Sequence, residues 1–336
     1  MLLNVICELP RLRITCLGNS IIYTGLTLTS LQTSIINPFS LSGIGVHTGR
    51  AITARIEPAE ANTGICFWRE DINGQNNKIL AHVDNTVSAM LCTRIENDEG
   101  IGVNTIEHFM SALFGVGIDN ANIFVDGPEM PIMDGSAEII VHALLKAGQK
   151  QLKQPASYLQ ILKEISVKGE NGAWAKISPS NSLDICLNID FPDPGIGRQT
   201  LEYSFSTSSY VDTISPARTF CMLRDVQNMK HAGLAKGGSL ENVIVVDNGK
   251  VLNKGGLRMQ DECVRHKVLD CIGDLFLTCM PIFGKIEAFR PGHTLTLDLL
   301  KKLIADESSF TVKTYSKDIV PERGYINMPK AAAIPA

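Results

Sequence analysis

Apolar and polar residues alternate along Ala51–Glu57, which predicts a half-buried strand, and Gly64–Arg69 reads as a second. The rhythm changes over Asn104–Phe114. There Ile106, Phe109, Met110, Leu113 and Phe114 recur at the spacing of one helix face, and Gly115 and Gly117 are expected to end it. A strand at Asn122–Val125, a loop at Gly127–Gly135 and a helix running from a Ser136 cap to Gly148 complete the first half. The polar, proline-containing Gln149–Pro155 marks a boundary. Beyond it come strands at about Tyr158–Val167 and Asp184–Phe191, then a helix over Met222–His231 that stops at Gly233. Val243–Val246 is β-rich and Asp247-Asn248-Gly249 signals a hairpin. A long helix spans Asp261–Thr278 before Pro281. Strands and helices mix in both halves without strict alternation, so the fold class is α+β.

Two of these helices have unusual polar faces. On the first, His108 lies about 200° from Ile106, on a side shared with Ser111 and Ala112. Small residues there suit a second packed layer better than open water. On the long helix, Asp270 and Asp274 fall about 40° and 80° round from His266, opposite Val264, Val268, Leu269, Cys271, Ile272, Leu275 and Phe276. An i, i+4 pair such as His266 and Asp270 stacks two donors that can share one ion. Each pattern has a plainer reading. His-x-x-x-Asp arises readily by chance, and Asn104-x-x-Glu107 also fits a capping box. His47, His82, His142 and His231 lack such partners and read as surface or packing residues.

Length and composition add bounds. A chain of 336 residues suits about two domains. With 44% apolar residues, 20% charged residues and a net charge of -4, it has material for two cores but no dense Lys/Arg run for nucleic acid. Nine cysteines without a Cys-x-x-Cys pair point to reduced thiols in a cytoplasmic protein. Ile14–Leu31 is too interrupted by polar residues for a spanning helix and lacks the order of a signal peptide. Residues 1–28 are therefore expected to be an extension outside the fold. Organelle targeting is the alternative, since no acid occurs between Glu8 and Glu57. Residues 321–336, Ala-rich with Pro, are expected to be a disordered tail. No stable membrane insertion and no protein partner are expected.

Six motifs carry a resemblance. They are Gly43-Ile44-Gly45-Val46-His47-Thr48-Gly49, Thr105-Ile106-Glu107-His108, Pro128 to Ala137, Ala217-Arg218-Thr219-Phe220, Val264 to Asp270 with Gly273-Asp274, and Gly292-His293. In this order and spacing, over about residues 36–315, the chain resembles the zinc-dependent UDP-3-O-acyl-N-acetylglucosamine deacetylases of bacterial lipid A synthesis. The resemblance implies one Zn2+ on His108, His266 and Asp270, with Glu107 as general base. It implies His293 as a cationic or acid-side partner held by Asp274, and Thr219 as a donor to the oxyanion. Lys267, Phe220 and Phe191 would contact substrate. It also implies two domains of similar layered architecture, 30–152 and 156–318. Each carries an inserted subdomain, an acyl passage is built from 220–253, and the site lies between the domains. Two histidines and one carboxylate leave a fourth metal position for water, the pattern of a catalytic zinc site. Either Glu107 or His293 could protonate the departing amine. A zinc hydrolase acting on another acylated sugar, and a sugar-nucleotide binding module with a degenerate site, are the rival readings.

Overall fold

The structure is a computed structural model. It describes residues 30–73 and 76–315, and the backbone alone at 16–17, 20–21, 26–28 and 324–326. The expected extension 1–28 and tail 321–336 fall outside the fully described residues.

The chain is α+β. The first half builds a five-stranded sheet in the order Phe39–Ile44, Ala51–Pro58, Ala121–Val125, Ile65–Arg69, Lys78–Leu80. Only the pair Ala121–Val125 with Ile65–Arg69 is parallel. Alternation does its expected work here: Ile52, Ala54 and Ile56 are buried, while the intervening Arg55 and Glu57 bridge on the other face. Two helices accompany the sheet, α1 (Glu107–Val116) and α2 (Glu138–Ala147). A small antiparallel sheet, Thr86–Val87, Arg94–Glu96 and Gly102–Val103, leads into α1.

The second half builds a larger sheet around Ile282–Phe289. That strand pairs antiparallel with Trp174–Pro179 and in parallel with both Ser157–Ile161 and Leu183–Asp190. A single turn, α3 (Thr207–Ser209), runs into a π-helical turn, Tyr210–Ile214. A compact βαβ unit follows: Phe220–Met222, α4 (Leu223–His231), then Ile244–Asp247 parallel to the first strand. Asn248 and Gly249, at φ 48° and 81°, turn that strand back onto Lys250–Val251, the primed turn that Asp-Asn-Gly signals. The long helix α5 (Glu262–Leu275) tightens into a 3-10 turn at Phe276–Thr278, and α6 (His293–Ala305) closes the layer.

The two helical layers meet where α1 packs on α5, and all ten residues of α1 are buried. Gly273 permits the approach, because a Cβ there would stand 2.1 Å from the Glu107 carbonyl oxygen. The small-residue back of α1 is therefore sandwiched. Its Ser111 hydroxyl bonds the Tyr210 hydroxyl at 2.9 Å.

Three local expectations change. α1 begins at Glu107, because Thr105 has φ 58° and Asn104 lies in an extended segment, which removes the capping box. Gly115 sits inside the helix to clear the Tyr210 ring, and Gly117 ends it at φ 78°. Gln149–Pro155 is itself a strand, paired with Leu31–Ile35 across a bulge. Among the described residues no helix is long and apolar enough to cross a membrane.

Candidate metal centre and active site

Helix α1 contributes Glu107 and His108, and α5 contributes His266, Asp270 and Asp274 along one stripe. The donor atoms of His108, His266 and Asp270 all lie within 4.8 Å of one another, and all three residues are buried. His266 Nδ1 donates to the Ala217 carbonyl at 3.0 Å, leaving Nε2 to face Asp270 Oδ1 at 3.2 Å. His108 Nε2 stands 3.7 Å from the same oxygen. Asp270 Oδ1 and His108 Nδ1 are buried with no hydrogen-bond partner. A buried carboxylate oxygen without a donor is a costly arrangement that a cation would relieve. The residues present therefore fit a metal ion. The carbonyl bond at Nδ1 fixes the orientation of the His266 ring and leaves Nε2 as the nitrogen able to bind a metal.

The charges around the cluster are strongly coupled. Burial alone would raise the Asp270 carboxyl, but His266 and then Lys267 hold it well below the ordinary range. Lys267 Nζ donates to Asp270 Oδ2 at 2.9 Å, which keeps the amine protonated despite its burial. His108 is pushed down to about 3 by burial and by His266, so it is neutral and able to act as a ligand.

Glu107 and His293 form the other side of the site. Burial lifts the Glu107 carboxyl to about 7, against the opposing pull of His293. Burial would favour a neutral His293 ring, but Asp274 and then Glu107 outweigh it and raise the ring to about 10. His293 Nδ1 bonds Asp274 Oδ2 at 2.9 Å, and its Nε2 lies 3.6 Å from Glu107 Oε1. The Glu107 carboxylate accepts the Thr93 backbone N–H at 3.0 Å, a bond to a neighbouring segment.

A groove of about 1060 Å³ opens from Glu107, His108 and His293 and runs along the βαβ unit past Leu223, Val226 and Val245. Thr219 lines it, its backbone fixed between Gly135 and Ile244 at 2.8 Å on each side. Phe191 meets Phe220 edge-on at 5.2 Å, and Lys267 Nζ stands 5.6 Å from the centre of the Phe220 ring. Of the residues expected from the sequence, Glu107, His108, Phe191, Thr219, Phe220, Lys267 and His293 line this groove, and His266, Asp270 and Asp274 are not among its lining residues.

Three further residues matter: the sequence reading takes His47 as a surface or packing residue and passes over Glu129 and Thr93. His47 lines the groove and has a buried, unpartnered Nδ1, so it is a wall residue of the site. Its loop is held by buried Glu129, which accepts the backbone N–H groups of His47 and Thr48 at 2.8 Å and the Thr105 hydroxyl at 3.1 Å. The Val46 and His47 carbonyls in turn accept from Gly237 and Lys236, tying this loop to the βαβ unit. The third is Thr93, which touches Asp274, His293 and Glu107.

Two histidines and a carboxylate around a common point, with a second carboxylate beside them, make the donor set of a metal-dependent hydrolase. A profile of the UDP-3-O-acyl N-acetylglycosamine deacetylase family matches residues 32–305. The chain is 41% identical over 297 residues to a UDP-3-O-acyl-N-acetylglucosamine deacetylase of Actinobacillus succinogenes, covering 88% of this chain and 96% of that one. It is 40% identical over 299 residues to one from Mannheimia succiniciproducens, with the same coverage. A Phenylobacterium zucineum deacetylase is 38% identical over 288 residues, covering 86% and 98%. The chain belongs to the UDP-3-O-acyl N-acetylglycosamine deacetylase family.

Proposed function

We propose that this chain hydrolyses the N-acetyl group of UDP-3-O-(3-hydroxyacyl)-N-acetylglucosamine and releases acetate, the committed step of lipid A biosynthesis, using one zinc ion. One observation carries the reading. The Glu107–His293 pair, 3.6 Å apart, stands beside the His108, His266 and Asp270 donors at the end of an apolar groove. Zinc held by those donors would lower the pKa of a water molecule and polarise the acetamide carbonyl.

The chain's own groups supply the rest. Glu107, with a carboxyl lifted to about 7, is poised to take the proton of the attacking water near neutral pH. Thr219, on the groove wall, donates its hydroxyl to the developing oxyanion. His293, kept cationic by Asp274, stabilises the same charge, and either it or Glu107 returns a proton to the departing nitrogen. Lys267, Phe220 and Phe191 hold the sugar. The acyl chain lies along the insert 220–253, where Leu223, Val226 and Val245 give it apolar surface. Domains 30–152 and 156–318 are part of this proposal, with α1 and α5 as the seam between them, and so is a cytoplasmic location.

The test is acetate release from the acylated UDP-sugar, measured before and after chelation and again after zinc is restored. Release that is unchanged by thorough chelation, or no release from the zinc-loaded protein, refutes the reading.

A further inference from the structure

Thr93 is fully buried, immediately before the strand Arg94–Glu96, and has no part in the reaction described above. Its hydroxyl donates to Asp274 Oδ1 at 2.5 Å and lies 3.0 Å from His293 Nδ1. That ring nitrogen is also 2.9 Å from Asp274 Oδ2, so three groups close a small hydrogen-bonded ring. Meanwhile the Thr93 backbone N–H holds Glu107 Oε2 at 3.0 Å. One residue thus grips both members of the acid–base pair.

Hydrogen-bond arithmetic makes the ring directional. A hydroxyl has one proton to give, and an ionised carboxylate has none. With the Thr93 proton committed to Asp274, the short contact to His293 closes only if Nδ1–H is the donor. The single Nδ1–H is then shared between Asp274 Oδ2 and the Thr93 oxygen, so the imidazole is held by two acceptors, and Nε2 is the nitrogen presented to Glu107 Oε1 at 3.6 Å. Asp274 alone could make the first bond, but a single carboxylate leaves the imidazole free to rock about that bond. The hydroxyl removes this freedom, and a short outer-shell bond of this kind orients an inner residue without touching substrate.

We propose that Thr93 is a positioning residue for the reaction: its hydroxyl locks the His293–Asp274 pair so that His293 Nε2 faces Glu107 and the reacting acetamide, while its amide fixes the Glu107 carboxylate. The inference rests on the roles given above to Glu107 and His293.

Thr93→Val removes the hydroxyl while keeping shape and the backbone N–H, and Thr93→Ser keeps the hydroxyl. In the zinc-loaded enzyme, Thr93→Val is expected to lower kcat about 10- to 100-fold with KM nearly unchanged, the effect of losing a bond to a charged group that matters in the transition state. Zinc per chain should stay the same, and Thr93→Ser should recover kcat to within about threefold. In a His293→Gln background, Thr93→Val should have little further effect, because the group it positions is gone. A normal kcat for Thr93→Val overturns the proposal. So does a Ser variant as impaired as the Val variant, or an undiminished loss in the His293→Gln background. If Thr93→Val does not fold, Thr93→Ala gives the same hydroxyl-free comparison with Ser. Glu107→Gln is assayed alongside: if it retains activity, the functional reading of the site has failed, which is a separate outcome from any behaviour of Thr93.

Discussion

Replacing Gly273 with alanine tests the close approach of α1 and α5. The added Cβ would lie 2.1 Å from the Glu107 carbonyl oxygen and 3.2 Å from its Cα. Carbon and oxygen atoms rest comfortably only at about 3.5 Å, so α1 and α5 must part by about 1 Å. The obstacle is helix backbone, which cannot swing aside as a side-chain tip would. Two effects oppose each other. Alanine favours a helix interior over glycine by about 1 kcal/mol. Overpacking a close-packed contact costs about 1–3 kcal/mol, so the sum is expected to be modestly destabilising. The site suffers more than the fold. His108 rides on α1 while His266 and Asp270 ride on α5, with donor atoms within 4.8 Å. Metal-ligand distances tolerate only about 0.2 Å, so a shift of about 1 Å should weaken metal binding before it unfolds the chain. The assay is zinc per chain after dialysis against a weak chelator, with acetate release and a thermal melt on the same samples. Zinc and activity should fall together, with Tm lowered by a few degrees. Undiminished zinc and kcat with a raised Tm would show that propensity wins and that the helices are not pressed together as described.

Glu107→Gln should keep its zinc yet lose about 100- to 10,000-fold in kcat, whereas His266→Ala should lose the zinc itself; elemental analysis beside kinetics separates the two. UDP-GlcNAc lacking the acyl chain should be turned over at least about 1,000-fold less efficiently than the acylated sugar. Val245→Trp, at a 9% exposed position on the groove wall, should selectively impair long-chain substrates in a kcat/KM series, with zinc unchanged. Glu262→Ala should destabilise the fold by about 3–5 kcal/mol in chemical denaturation, because it strands the Arg218 guanidinium that its carboxylate holds at 2.8 Å and 3.2 Å. A loss below 1 kcal/mol would show that pair to be effectively solvated.

Much of this site could be read along the chain because it sits on helices. The stripe of His266, Asp270 and Asp274 follows from helical period alone, and the small-residue face of α1 announced a buried second layer. The residues that escaped notice lie where period gives no help. Thr93, His47 and Glu129 occupy loops or short connections, and only tertiary contact reveals what they touch. His47 lay inside a quoted motif, yet nothing next to it in sequence shows that a groove passes by. The start of α1 was misplaced for a related reason. Thr105 adopts a left-handed backbone that its Glu129 bond supports, and a propensity argument expects no such strain. The polar Gln149–Pro155 became a strand because Leu31–Ile35, far away in sequence, offers it an edge.

The donors on α1 and α5 are brought together only by contacts between distant parts of the chain. No local segment carries all three donors, so the complete site cannot nucleate folding as a small zinc-binding finger does. Loop closure between the two helices must come first, and such long-range contacts form slowly. An ion bound there stabilises the finished fold alone, by an amount that grows with the logarithm of free metal, about 4 kcal/mol at a thousandfold excess over Kd. Thermal stability thus becomes a readout of metal supply, and metal uptake during refolding marks the moment when α1 and α5 come together.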